Sequence, residues 1–559
     1  MPGSPPPPDG GTADPLAAHL AAITAFGQDH YDALARSRRR NGYFHQALSR
    51  LVANQVLPGS SVLDIGCAAG DMLAALHPAP GQGVGIDINP QALAAAHRNY
   101  PNLEFHEQAA ESLRSLQGRN FDYIILSGIL PQLYDLHTVL EAIRDVCHPR
   151  TRLVICTFSR LWHPVINLAE TVGHKARVPD ESWIPSLEVP NLLGQCDFQV
   201  VRQLHRILLP LGIPLLSNLI NRWIAPLPGI NHLGLCTLTV ARMLPRPSAP
   251  PAPPIPTIQH SEVRPLKRLD ELTTKSTEIT ENRQETNKNT ILSSVVSVPS
   301  VFSVVNPSST FPPPPSVSII IPARNESGNL QPLLDRIPVM AAHQEVIFVE
   351  GNSTDDTWAV MQKVVADYQA QGEGGGPFKV SCLQQTGCGK GDAVRLGFAR
   401  ATGAILMILD ADISVPPEEL PRFVTLVARG HCEFANGSRL VYPMDEKAMR
   451  FLNMIANKSF GWMFTYLLGQ CLRDTLCGTK VLTRVDYERI AANRAYFGDF
   501  DPFGDFDLLF GAARLNLKIS DVPVHYKQRI YGETNISRFR HGLMLLHMCW
   551  FAARKIKFI

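Results

Sequence analysis

At 559 residues the chain exceeds what one hydrophobic core sustains, since single cores stop growing near ~250–300 residues, so more than one folded body is expected. Its 45% hydrophobic and 18% charged residues exclude a wholly disordered chain. A net charge of +2 excludes a protein that coats nucleic acid, and no nucleic-acid partner is expected.

Residues 1–15 are rich in Pro and Gly, which predicts disorder. They carry neither a charged n-region nor an apolar h-region, so no signal peptide is expected. Eleven scattered cysteines without a metal-spaced CxxC pair fit reduced thiols in a cytoplasmic compartment. From 16 to 243 helical and strand-like patterns alternate. Ser61–Ile65 predicts a short buried strand, and Gly66–Gly70 a tight turn whose small residues let backbone approach a ligand. Asp71–Ala75 then starts a helix, with Asp71 at its positive end. Gly83–Ile88 predicts a second strand. Asp87 at its end suits a ribose, because a carboxylate can accept from both hydroxyls. Phe121–Leu126 and Leu153–Thr157 predict further strands. The turn reads Asp64-x-Gly-x-Ala-x-Gly, not G-x-G-x-x-G. An acid inside it fits the cationic amino-acid end of S-adenosylmethionine better than a pyrophosphate.

The stretch Val62–Thr157 resembles class I methyltransferases in its DIGCAAG turn, its GIDIN and FDYIILS strands, and a late strand after His148-Pro149. The resemblance implies that Asp64, Gly66, Gly70 and Asp87 contact S-adenosylmethionine. Where that family usually has an acid, this chain reads FHEQAAE, and Gln108 is the expected partner of the adenine amine. His137, His148 and His163 show no partner in the sequence and read as surface or helix-cap residues. Residues 160–240 are expected to cap an acceptor pocket.

Residues 244–315 open on a proline-rich run that can only be extended and continue as a polar Ser/Thr/Asn/Glu stretch. They predict a disordered linker, since compact domains do not hold structureless loops of that length.

In the region 316–540, Val317–Ile321 predicts a buried strand ending at the polar turn Pro322-Ala323-Arg324-Asn325-Glu326. Glu345–Glu350 predicts a second strand, followed by an Asn/Ser/Thr/Asp turn. Ala404–Leu409 predicts an apolar strand ending in Asp410-Ala411-Asp412. Two carboxylates so close are explained by a divalent cation that neutralises them and offers its free positions to phosphate oxygens. Asp499–Asp507 packs acids among aromatics ahead of a predicted helix Leu508–Leu515. A helix N-cap accounts for at least one of these acids. Two stretches, Ile207–Ile220 and Leu543–Ala553, are apolar, but neither reaches the ~20 residues that span a bilayer.

This second region resembles family 2 glycosyltransferases of the GT-A type, and in particular the dolichyl-phosphate-mannose-synthase-like group. The resemblance rests on IIIPARNES, FVEGNSTDDT, GCGKGDAVRLGF, ILDADISVPPEEL and GSRLVYP. It implies nucleotide-sugar binding by Pro322, Ala323, Asn325, Glu326, Glu350, Asp355, Asp356, Lys390, Gly391 and Asp410. It also implies that Asp410 and Asp412 hold Mg²⁺ or Mn²⁺. Glu350 stands where the family has Asp, which opens the base preference. For a hydroxyl acceptor the family's catalytic base matches Asp505 best and Asp507 second. Arg529, in RIYGETNIS, matches the loop that closes over the donor phosphates, and Arg538 or Arg540 stands in for the family's lysine.

The fold class expected is α/β, with a Rossmann-like and a GT-A domain, both doubly wound. The function expected is a bifunctional transferase in cell-surface glycan or glycolipid synthesis, acting on a polyprenyl-phosphate or glycan acceptor. Two alternatives stand beside it: a glycosyltransferase with a non-catalytic methyltransferase-like scaffold, and a carbohydrate- or lipid-binding adaptor. The tail 541–559 brackets an apolar core with basic residues. It fits either peripheral contact with the cytoplasmic face of a membrane or a helix packed on the domain core.

Overall fold

The computed structural model describes residues 15–176, 188–245, 316–370, 376–441, 451–496, 504–527 and 538–558. The expectations of disorder for the N-terminus and the linker fall outside them. The first body is a seven-stranded sheet of β1 (Val62–Ile65), β2 (Gly83–Asp87), β3 (Glu104–Glu107), β4 (Phe121–Ser127), β5 (Cys147–Phe158), β6 (Phe198–Arg206) and β7 (Cys236–Met243). The strand order is β3-β2-β1-β4-β5-β7-β6, with β7 antiparallel to both neighbours and the rest of the contacts parallel. All four residues of β1 are buried. That is why β1 does not alternate: helices cover both faces of a parallel sheet, and its three apolar residues are buried together with Asp64.

The second body is also seven-stranded: β8 (Val317–Ala323), β9 (Gln344–Glu350), β10 (Lys379–Gln384), β11 (Ile405–Ile408), β12 (Phe434–Ser438), β13 (Lys480–Thr483) and β14 (Ile519–Pro523). Its order is β10-β9-β8-β11-β13-β12-β14, with β13 antiparallel to β11 and β12. In each sheet the chain works outward on one side and then restarts on the other. The reversal falls between β1 and β4 in the first sheet, and between β8 and β11 in the second. Such a switch point opens a crevice beyond the carboxyl ends of the strands, the place where ligands bind in doubly wound sheets.

The two bodies also pack on each other. Outside the linker, both belong to one compact unit. Arg152 on β5 is 1% exposed; its guanidinium grips both carboxylate oxygens of Glu433 at 2.7 Å and donates to the Asn516 carbonyl at 2.8 Å. Arg242 on β7 donates to the carbonyls of Gly430 and His431. Arg514 and Asn516 donate back to the carbonyls of Asn54 and Gln55. A buried ion pair contributes little net stability, but losing one partner strands the other and costs about 3–5 kcal/mol. The interface is therefore specific rather than merely adhesive.

The C-terminal helix runs Arg538–Ile556, so the boundary expected at 540/541 falls inside it. Its Leu545, Met548, Cys549, Ala552 and Ala553 are buried in the second body's core. No helix among the described residues is long and apolar enough to cross a membrane.

Candidate active sites

The first site forms where β1 and β2 end. Gly66 and Gly70 both take positive φ, 77° and 82°, which a side chain would strain. A Cβ on either would also strike Ile129 or Phe105. Asp87 ties the two βα turns together: its carboxylate accepts from the Ala68 N–H at 2.8 Å and the Asn89 N–H at 2.9 Å. Asp64 is 2% exposed, and one of its oxygens has no hydrogen-bond partner. Burial pushes its pKa up to about 7, with Arg38 opposing and Asp87 adding to the shift. A buried carboxylate with an idle oxygen lacks a cation.

The sequence reading missed what covers this turn. Arg38, on the helix Tyr31–Arg40, pairs with Asp71 at 3.2 Å, and Tyr100 donates its hydroxyl to the same carboxylate at 2.9 Å. His45 lies beside them, its pKa lowered to about 4 by burial and then by Arg38, with Asp71 opposing. The Ser37-Arg38-Arg39-Arg40 run was the available signal, but nothing in it says which arginine turns inward. Gln108, expected at the adenine, points elsewhere: its amide bonds the Ser112 carbonyl and the Ser115 hydroxyl. All three histidines read as partnerless have partners, His163 meeting the Asn167 amide at 3.4 Å. His148 lies 3.2 Å from Asp122, and His137 lies 3.6 Å from Glu141.

The second site forms where β8, β9 and β11 end. After Pro322 and Ala323, Asn325 takes φ 57° and its side chain accepts from the Thr354 N–H at 2.8 Å. Glu326 is buried and accepts from the Asn329 amide at 2.6 Å. Glu350 accepts from the Ser353 N–H at 2.5 Å and the Gln384 amide at 3.1 Å. Burial opposes its ionisation, but these donors outweigh burial and hold its pKa below the usual value. Asp355 is a turn-former, accepting from the N–H and hydroxyl of Thr357, and Asp356 is the N-cap residue of the helix Thr357–Gln369.

Charges of both signs converge at the centre. Lys390, first residue of the helix Lys390–Arg400, lies 2.6 Å from Asp410. Burial works against the Lys390 ammonium, yet Asp410, Asp505 and Asp412 together hold its pKa above the ordinary lysine value. Gly391 lies against Gly504: a Cβ on Gly504 would come within 2.7 Å of the Gly391 Cα. That approach brings Asp505, in the first turn of the helix Asp505–Arg514, up to the same cluster. Asp505 lies 3.0 Å from Lys480, whose side chain is wholly buried. Asp412 is buried and accepts from the Ser414 N–H at 3.0 Å. Asp507, the second candidate base, is instead held by Arg494 at 2.8 Å. The helix starts earlier than expected, so both acids lie within its first turn rather than ahead of it. Arg529 lies outside the described residues, as do the side chains of Arg538 and Arg540.

Three features here had no motif to announce them. Lys480 opens a buried strand, where sequence alone would predict another apolar residue. Gly478 leaves room for Asp410, since a Cβ there would fall 2.0 Å from its carboxylate. Asp474 is gripped by Arg439 at 2.7 and 2.9 Å and by Asn457 at 2.9 Å. Burial opposes its ionisation, but Arg439 prevails and its pKa falls to about 2.

The two halves match two different family models. Residues 57–187 match the methyltransferase domain, and residues 318–487 match glycosyl transferase family 2. The chain is thus a fusion of a methyltransferase-family domain with a family 2 glycosyl transferase domain. Among curated relatives, an undecaprenyl-phosphate 4-deoxy-4-formamido-L-arabinose transferase of Klebsiella pneumoniae is 32% identical over 126 residues, 22% of this chain and 36% of that protein. A dolichol-phosphate mannosyltransferase of Pyrococcus furiosus is 34% identical over 128 residues, 22% of this chain and 33% of that protein. The chain therefore spans about a third of the length of these relatives. Among solved structures, an S-adenosylmethionine-dependent methyltransferase from Thermotoga maritima aligns at 13% identity and TM-score 0.31, over 39% of this chain and 99% of that one. Glucosyl-3-phosphoglycerate synthase from Mycobacterium tuberculosis aligns at 18% identity and TM-score 0.31, over 43% and 80%.

Proposed function

We propose that the second domain transfers a sugar from a nucleotide-diphospho-sugar to a polyprenyl phosphate, a glycan hydroxyl being the other acceptor class. The first domain methylates a related product with S-adenosylmethionine, in the synthesis of a cell-surface glycan or glycolipid on the cytoplasmic face of a membrane. The observation that carries this is the cage of Lys390, Asp410, Asp412, Lys480 and Asp505 at the switch point of the second sheet. In transfer, the bond from the anomeric carbon to the diphosphate oxygen breaks and an acceptor oxygen bonds that carbon. Lys390 is placed to balance the departing diphosphate. A hydroxyl acceptor must shed its proton, and Asp505 is the group positioned to take it; a phosphate acceptor is already an anion and needs no base.

Asp410 and Asp412 offer hard oxygen donors of the kind that suit Mg²⁺ or Mn²⁺. No group of three or more His, Cys, Asp or Glu residues suited to a metal occurs among the described residues. A divalent ion held there would therefore share its remaining positions with phosphate oxygens, and would supply positive charge to the diphosphate. In the first domain the idle oxygen of Asp64 suits the cationic end of S-adenosylmethionine, and Asp87 the ribose. That cofactor, when bound, supplies the methyl group; Asp64 and Asp87 orient it.

The test uses the full chain, because the interface buries charges from both domains. A panel of UDP- and GDP-sugars is scored for metal-dependent thermal stabilisation and for transfer to undecaprenyl phosphate. Stabilisation by one donor with transfer to the lipid supports the reading. A wild-type chain that neither binds nor hydrolyses any donor, with or without metal, overturns it. One observation favours a second reading, with the first domain a scaffold: the Gln108 amide is already engaged within its own loop. Calorimetry with S-adenosylmethionine separates the two, since a scaffold binds none.

A further inference from the structure

Residues 211–219 of the first domain fold inside out, around a frame made by buried Ser217 and half-buried Asn221. Asn221 accepts from the Leu208 and Leu209 N–H groups at 2.8 Å and donates to the Leu209 carbonyl at 2.6 Å. Ser217, wholly buried, accepts from the Ile213 N–H at 3.0 Å and donates to the Leu211 carbonyl. The apolar side chains of 211–219 face out, whereas Ile207 and Ala225 on either side are buried. Leu211, Ile213, Leu216 and Leu219 are exposed, and Leu215 is 88% exposed at φ 61°, a strained conformation for leucine. A hydrogen-bonded frame that holds leucines outward is not a loop short of partners; it presents an apolar surface.

This surface continues onto the second domain. Trp223 stacks on Trp550 and Phe558 at ring separations of 6.4 and 5.2 Å, and Arg222 donates to the Phe558 carbonyl at 3.1 Å. Tyr466 donates its hydroxyl to the Pro226 carbonyl. Along the C-terminal helix, Leu543, Leu546, His547, Trp550 and Arg554 are exposed at the spacing of one helical face. Trp462, 66% exposed, lies one turn from Tyr466.

Charge selects the occupant. Among the described residues of 207–235, 451–472 and 538–558, Arg222, Lys458, Arg554 and Lys555 are exposed, and these stretches contain not one Asp or Glu. Two copies of such a surface repel each other, whereas an anionic bilayer attracts it, and exposed Trp with flanking basic residues is the composition of a membrane interface. We infer that segment 207–227 and the outward face of the C-terminal helix form one surface, built by both domains, that docks on an anionic lipid bilayer. This deepens the membrane-face reading above, adding that the methyltransferase domain supplies much of the contact.

The experiment is flotation of the full chain with phosphatidylcholine vesicles, with and without phosphatidylglycerol. Wild type, Leu215→Glu/Leu219→Glu and Trp550→Glu are compared, after melting curves show that each variant folds. Wild type is expected to float with the phosphatidylglycerol vesicles, and the leucine double variant to lose affinity by roughly tenfold or more, the loss of two buried leucines. Flotation of that double variant equal to wild type, while Trp550→Glu fails, overturns the first domain's part and leaves tail contact standing. Failure of the wild type to float overturns the surface altogether. A wild-type dimer in sedimentation that the leucine variant dissociates, with no vesicle binding, assigns the face to a second copy and overturns the proposal.

Discussion

The two sites bury acids in opposite ways. At the end of β1, Asp64 is buried with one oxygen unpartnered and its pKa raised to about 7. Around the end of β11, three acids have a cation within reach: Asp410 has Lys390, Asp505 has Lys480 and Asp474 has Arg439. Burial alone neutralises a carboxyl; burial with a partner keeps it ionised. The first site thus stores a demand for positive charge that a cationic ligand can meet. The second holds the Asp410 and Asp474 carboxyls below their usual pKa by internal pairing, so a ligand or metal arriving there must share or displace a cation already in place.

The largest test of that contrast is Asp412→Asn. Asparagine keeps the oxygen that accepts from Ser414, so the fold should stand. Donor turnover should fall by at least about 10²-fold, the loss typical when one electrostatic contact to a developing charge is removed. Turnover near wild type, unchanged by EDTA, would remove the metal from the second site. Next comes the pair Asp505–Lys480. Asp505→Asn should lower unfolding stability by about 3–5 kcal/mol in urea, because Lys480 is left buried without its anion. Asp505→Asn/Lys480→Met should recover much of the loss. If the double variant is as unstable as the sum of the singles, the two side chains are not coupled.

The pH profile should separate the sites by sign. Asp64 has a folded pKa above its unfolded value, so its contribution is present below about pH 4 and lost as pH rises through about 7. Asp474 has a folded pKa of about 2, so its contribution is present above about pH 4 and lost as pH falls towards 2. Asp64→Asn should flatten the loss on the neutral side alone, by as much as a few kcal/mol. Melting curves between pH 4 and 8 check this; an unchanged slope in the variant would mean that Asp64 is ionised throughout.

Much of this was legible in the residues. Buried parallel strands announce themselves as largely apolar runs, and the Asp64 that interrupts β1, the small residues after it and the Glu326 after β8 are features that ordinary strands and loops do not need. What stayed hidden was side-chain direction and long-range pairing. Lys480 joins Asp505 only because β13 runs antiparallel beside β11, a register that no local pattern encodes. Arg152 meets Glu433 across 281 residues of chain. The first domain's inside-out loop reads in sequence as a proline-broken apolar stretch; its outward leucines are set by Ser217 and Asn221, whose bonds appear only once the loop is closed.

The smallest predicted effect concerns Gln108, and it bears directly on whether the first site is complete. A glutamine replacing the expected acid could serve adenine through its carbonyl, and the sequence invites that reading. In the fold the amide is spent on Ser112 and Ser115. Swinging it to a ligand would break both bonds, each with a net contribution of about 0.5–1.5 kcal/mol. The gain at adenine and the loss in the loop then nearly cancel. Gln108→Ala should therefore change S-adenosylmethionine affinity by less than about tenfold, and should lower the first domain's stability slightly instead. Calorimetry and melting on the same variant read the two quantities separately. A loss of affinity well beyond tenfold with unchanged melting would show that the amide turns to the cofactor, and would make this loop a second, mobile arm of the site.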